Sequence, residues 1–193
     1  MFYTRLCVIL VLAVNLVNAL PVPETSGLER RVDPNKSNDP KDWPSKPDLR
    51  GTLKTQPGQA KFWAGSTPDH TGSPVSAQQS AEADAAAHGG TTLESALHSA
   101  GHTMPDWDAA NPAAKNKWSE ASRAFAKGAS GDVDAHIGTN VRKGSVYKTE
   151  EKPLLKKNPN VSSITEHAHG QPGVPPKVVH RKNSKDDKKC CIL

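Results

Sequence analysis

The sequence predicts a mixed α/β (α+β) fold, a small single domain in which N-terminal helices precede a short sheet, flanked by disordered ends. Three observations predict it. An alanine-rich block after Pro74 and the segment "TTLESALHSAG" both carry helix formers closed by glycine. Trp118, Ala121, Ser122, Phe125, Ala126 and Ala129 recur at the spacing of one helix face. After Gly131 the period becomes two: Val133, Ala135 and Ile137 alternate with Asp132, Asp134 and His136, the pattern of a strand with one buried face.

Composition sets the domain limits. The chain has 193 residues, only 35% of them hydrophobic, with 16 prolines and 14 glycines. That suits one small domain with unfolded flanks. Residues 1–19 read as a secretory signal peptide. Met1 to Arg5 is a basic start, "LCVILVLAVNLV" is an apolar run short for a bilayer span, and Val17-Asn18-Ala19 offers a small-residue cleavage site. A buried N-terminal helix is the alternative, and "LPVPETSG" would break it at once. Residues 20–58 read as a disordered pro-region or linker. Glu29-Arg30-Arg31 there is equally a kexin-type processing site or an exposed charge pair, and Asn35-Lys36-Ser37 is a glycosylation sequon. Residues 59–166 form the domain, and residues 167–193 a disordered basic tail.

The expected location is therefore secreted, with entry into a host cell as a further step. Cys7 leaves with the signal peptide, and Cys190 and Cys191 are adjacent, so the mature core has no disulfide. The "CCIL" ending has the form of a prenylation signal, but prenyl transferases are cytosolic, which favours chance. A metal site is not expected, since His167-Ala168-His169 has no cysteine partners. The formal charge of +5 resides largely in a tail without an aromatic platform. Nucleic acid is therefore not an expected partner, and stable membrane insertion is not expected either.

Along the domain, "AKFWAGS" opens near Ala60. "SPVSAQQSAEADAAAHGG" is a helix stopped by Gly89-Gly90. "TTLESALHSAG" is a second, capped by Thr91 or Thr92 and stopped by Gly101. "MPDWDAANPAA" is a loop into the striped helix. The strand at Val133 to Ile137 follows, then "NVRKGSVYKTE" as a second strand, and Val161 to Ile164 as a short third.

Four of these pieces, in this order, resemble the motifs of the ADP-ribosyl cyclase family. That family includes animal NAD glycohydrolases and toxin domains of bacterial polymorphic systems. "FWAG" around Trp63 is similar to its aromatic-Trp-Ser motif, and "TLE" at Thr92 to Glu94 to its Thr-Leu-Glu motif. "WSEASRAFAKGASGDV" from Trp118 resembles its Trp-x-x-x-Ser-x-x-Phe-Ala helix, and "GSVY" from Gly144 its Gly-Ser-Val-Glu strand. The resemblance covers roughly residues 60 to 165. It implies that Trp63 and Trp118 stack on the nicotinamide end of NAD. It also implies that Glu94 contacts nicotinamide and biases hydrolysis against cyclisation, and that Ser122 lies near the reacting ribose.

One departure stands out. The family's catalytic glutamate follows Ser-Val directly, and here Tyr147 holds that position. On a strand, Tyr147, Thr149 and Glu151 would share a face, so Glu151 reaches the pocket, and Glu150 does so only through a bulge. The toxin-like relatives place Glu-x-Pro here, matched by Glu151-Lys152-Pro153. The missing disulfides also agree with that branch. A carboxylate beside the ribose would stabilise an oxocarbenium-like transition state as nicotinamide leaves. NAD is then the substrate, and no cofactor is required. Each residue also has a plainer reading. The two tryptophans suit a core, Glu94 a helix N-terminus, Glu150 and Glu151 a solvated strand end, and Ser122 close helix packing.

Two functions follow as expectations. One is a secreted NAD glycohydrolase or ADP-ribosyl cyclase acting as a toxin or virulence effector of fungal origin. The other is a secreted effector that kept the fold, lost catalysis and binds a host protein.

Overall fold

The computed structural model describes residues 46–105 and 110–182, all within the unit formed by residues 33–193. The signal peptide, the dibasic pair, the Asn35 sequon and the CCIL ending lie outside the described residues. In chain order the elements are α1 (Lys46–Thr52), β1 (Lys61–Ala64), β2 (Ser66–Pro68), β3 (Pro74–Ser76), α2 (Ala77–His88), α3 (Leu93–Ser99), α4 (Pro112–Gly128), β4 (Gly131–Ile137), a π-helical turn (Tyr147–Glu151), α5 (Lys152–Lys157), β5 (Val161–Ala168) and β6 (Lys177–Arg181).

Local signals account for the helix ends. Ser76 caps α2, its hydroxyl accepting from the Gln78 N–H, and Gly89 closes it at φ 70°. Thr92 and Ser95 exchange hydrogen bonds in a capping box that starts α3. Asn111 caps α4, accepting from the N–H groups of Ala113 and Ala114, with Pro112 just inside the first turn. α4 thus begins inside the segment predicted to be the loop before it.

The main sheet has the order β1-β4-β5-β6. β1, β4 and β5 are parallel, and β6 returns antiparallel to β5. β2 and β3 form a separate hairpin. On one face of the sheet, Phe62, Val133, Ala135 and Ile164 are buried, and Phe125 of α4 packs on Phe62 with ring centroids 4.8 Å apart. The other face carries charge. Lys61 pairs with Asp134 at 2.7 Å and with Asp84 of α2 at 2.9 Å. His136 reaches Asp84 at 3.2 Å and stacks on His167, which bonds Asp134 at 2.8 Å. The alternation predicted for Val133 to Ile137 is present, but both faces are covered. Asp134 and His136 of β4 lie under α2 and are satisfied by ion pairs, whereas Asp132 is exposed and accepts from the Ser163 hydroxyl.

Chain direction at the end of β1 depends on Gly65. Its φ is +75°, and a Cβ there would stand 2.5 Å from the Asn140 carbonyl oxygen. The turn lets Ser66 leave the main sheet directly after Trp63 and Ala64.

Regular structure extends past both predicted boundaries. Within the segment expected to be linker, α1 buries Leu49 and Leu53 completely. These leucines share one face of a short helix, a signal submerged in the surrounding prolines. Within the segment expected to be a disordered tail, β6 pairs with β5, and β5 itself continues through His167 and Ala168. The "KVVHR" of β6 has β-branched residues, while Lys177, Arg181 and the exposed Val178 fit a strand at the sheet edge.

The strand predicted for "NVRKGSVYKTE" is a correction, because Tyr147 to Glu151 is helical. Val146, Tyr147 and Thr149 are residue types that favour strands, but Pro153 follows just downstream. Proline has no N–H for the carbonyl four residues back, and its ring crowds that carbonyl. The turn widens instead, and the Lys152 N–H bonds the Tyr147 carbonyl five residues earlier.

Phe125→Ala should lower stability by ~3–5 kcal/mol, as truncation of a fully buried aromatic does. Trp118→Ala, at a half-buried position, should cost less. Urea unfolding of the two variants followed by circular dichroism checks the order, and a larger loss for Trp118→Ala would contradict it.

Candidate active site

Three elements converge at the C-terminal end of β1. β1 supplies Trp63, α4 supplies Trp118 and Ser122, and the π-helical turn supplies Tyr147 and Glu151. These side chains, with Arg142 from the preceding loop, line a cavity of about 270 Å³. The indoles meet edge to face, ring centroids 6.4 Å apart and planes at 88°, an arrangement favoured by the ring quadrupoles. Each is fixed through its N–H. Trp63 donates to Glu94 Oε1 at 2.9 Å, and Trp118 to the Pro105 carbonyl at 2.8 Å.

Glu94, in the first turn of α3, lines an adjoining hollow with His98 and His102 that the two tryptophans also border. Its Oε2 is buried and has no hydrogen-bond partner. Burial raises its pKa, the Trp63 N–H acts in the opposite sense, and the charge of Glu82 adds to the rise.

The helical turn separates the paired glutamates. Glu151 points into the cavity and is buried beside Tyr147, four residues earlier on the same helical side. Burial pushes its carboxyl pKa up to about 8. The Ser122 hydroxyl draws it back, and the charges of Glu94 and Glu150 raise it further. Glu150 points outward. Arg123 holds it in a two-point pair at 2.7 Å each, and Ser119 donates to it at 3.3 Å. The Arg123 hydrogen bond holds its carboxyl below the usual range. Of the two glutamates the sequence left open, the structure brings Glu151 alone to the cavity. The shared face of Tyr147 and Glu151 was expected from a strand and is produced by a helix, while Thr149 is exposed and bonds the Ser145 carbonyl.

Three partners of the site were not foreseen. Glu166 on β5 accepts from the Tyr147 hydroxyl at 3.0 Å and from Lys152 at 2.7 Å. Burial, with the Glu166 charge, keeps the Tyr147 phenol neutral. Arg123 lies on the polar side of α4, where nothing in the sequence marks it as the partner of Glu150. Glu166 fell at the end of the predicted domain, two residues beyond the strand expected at Val161 to Ile164, and the longer β5 carries it. Among the described residues no group of three or more His, Cys, Asp or Glu side chains is placed to hold a metal ion, and no helix is long and apolar enough to cross a membrane.

Two solved structures are similar to this chain. One is an Aplysia cyclase complexed with substrate NGD and product cGDPR, at 17% identity and a TM-score of 0.41, covering 60% of this chain and 50% of that one. The other is an ADP ribosyl cyclase complexed with N1-cIDPR, at 16% identity and the same TM-score, covering 70% of this chain and 59% of that one. The chain thus spans between half and three-fifths of the length of these cyclases. No family model matches the sequence, and no curated protein matches it significantly.

The buried Glu151 links stability to pH. Its folded pKa of about 8 lies above the ordinary glutamate value of 4.5, so the folded state holds a proton that the unfolded state has released. Its contribution is neutral below about 4.5 and becomes a growing penalty as pH rises toward 8. Glu151→Gln removes that penalty. The variant should be more stable than the parent at pH 8.5, by a few kcal/mol at about 1.4 kcal/mol per pKa unit, and nearly equal to it at pH 4.5. Thermal melts at the two pH values check this.

Proposed function

We propose that the chain is an NAD-consuming enzyme that cleaves the bond between nicotinamide and ribose. The observation that carries this reading is a buried carboxyl group, Glu151, set in one cavity with two tryptophans held at right angles. The order of the four motifs supports it. In this reading Trp63 and Trp118 hold the flat nicotinamide and exclude water. Ser122 lies beside both Glu151 and the ribose.

The substrate brings the charge the site requires. Nicotinamide in NAD is a pyridinium, and its positive charge favours the ionised form of Glu151. As the carbon–nitrogen bond breaks, the electron pair goes to the nicotinamide nitrogen and the positive charge moves to the ribose. The carboxylate stabilises that charge until water adds to the anomeric carbon and releases a proton. Glu94 holds Trp63 in place and faces the nicotinamide side. NAD is the substrate, and the chain's own residues supply the chemistry. We assign the protein to the secreted route from Met1 to Ala19, as a toxin-like effector.

One observation favours a second reading, a catalytically silent effector that binds a host protein. Tyr147 occupies the family's glutamate position, and free Glu151 is mostly protonated at neutral pH.

Nicotinamide release from NAD by the full secreted chain separates the two. The enzyme reading expects release, with kcat/KM rising to a plateau as pH passes about 8, because that parameter follows the free enzyme's ionisation. Glu151→Gln should lower the rate by ~100-fold or more, and Trp118→Ala by about 100-fold through lost positioning. Glu150→Gln should retain most activity. Absence of release from the folded protein across pH 6–9 would leave the second reading standing.

A further inference from the structure

The structure assigns a modification site to the turn between α5 and β5: we infer that Asn160 accepts an N-linked glycan. Asn160-Val161-Ser162 has the acceptor spacing. The inference rests on the secretory reading of residues 1–19 and is independent of the cleft's chemistry.

Two asparagines in this turn differ in what their side chains do. Asn158 is committed to the fold. Its Nδ2 donates to the carbonyls of Ala126, Lys127 and Ala129 at 3.0, 3.2 and 2.9 Å, closing the end of α4. It is followed by proline and is no acceptor. Asn160 is exposed, and its side-chain amide bonds no described residue. Its backbone alone is tied down. The N–H bonds the Asn158 Oδ1 at 3.0 Å, and the carbonyl accepts from the Gly131 N–H at 2.7 Å. The Ser162 side chain is exposed too, while its carbonyl accepts from Lys182. An acceptor needs an amide and a hydroxyl that the fold does not use, on a surface with room for a bulky polar group.

The position also spares the cleft. β1, β4 and β5 run parallel, so their starts lie at one edge of the sheet and their ends at the other. Val161 pairs with Gly131 at the start, whereas His167, His136 and Trp63 pair in one row near the end. At ~3.3 Å per residue, the two rows are separated by roughly 20 Å.

The transfer uses a lipid-diphosphate-linked oligosaccharide and its membrane-bound transferase. The Asn160 Nδ2 bonds the anomeric carbon of the sugar, and the carbon–oxygen bond to the diphosphate breaks. The diphosphate leaves with the electron pair, and the amide nitrogen gives up one proton.

The test is secretion of the full chain from yeast, then peptide mass spectrometry before and after an N-glycan amidase. The peptide containing Asn160 should be absent unmodified and appear deamidated after the amidase. Asn160→Gln and Ser162→Ala should each lose that glycan, while Ser162→Thr keeps it. Recovery of the Asn160 peptide unmodified overturns the inference. A glycan on Asn35 in the same sample would then place the fault at Asn160, and retention of the chain inside the cells would place it in the secretory reading.

Discussion

Phe62 of β1 and Phe125 of α4 pack ring on ring at 4.8 Å, both buried, and the cleft takes its shape from that contact. Trp63 is the next residue after Phe62, and Trp118 lies two helical turns before Phe125 on the same stripe. The two indoles meet beside this contact, edge to face, with ring centroids 6.4 Å apart. The stripe serves two purposes along its length. Its C-terminal half, with Ala121, Phe125 and Ala129, is buried in the core, and its N-terminal turn opens onto the cavity.

The polar groups around this core fall into two kinds. Under α2, Lys61 has two aspartates, and each aspartate has a histidine. That network is paired throughout, so its burial is offset. In the cleft the accounting differs. Glu151 is buried with a hydroxyl for company, and Glu94 leaves one oxygen without a partner. Places that break the local rules of burial are where function is expected.

Most of the fold was legible because its signals are local. Ser76, Thr92 and Asn111 cap helices with their own side chains, Gly89 closes one, and the Trp118 stripe and Val133 alternation show their periods directly. What was hidden depends on partners far away in sequence. β6 becomes a strand because β5 offers an edge, and α1 is a helix because α4 receives Leu49 and Leu53. The Tyr147 segment misled for another reason. Its β-branched and aromatic residues favour a strand, while a single downstream proline sets a wide helical turn. Glu151 was placed in the cleft on the wrong geometry, since a strand and a helix both bring residues four apart to one side. The choice between Glu150 and Glu151 could not be made without Arg123, which claims the former.

The pairing of β1 with β4 joins Lys61 to Asp134, 73 residues apart, and β5 pairs along the other edge of β4. Contacts of such long sequence separation form late and make folding slow. A chain emerging from the ribosome passes both tryptophans well before β4 exists. Until β4 and β5 have been made, β1 is a lone edge and α4 has no sheet to lie on. The nascent protein therefore carries Trp63 from early in its synthesis without having a cleft. The site is complete only when β1, α4 and the turn at Tyr147 to Glu151 have all come together.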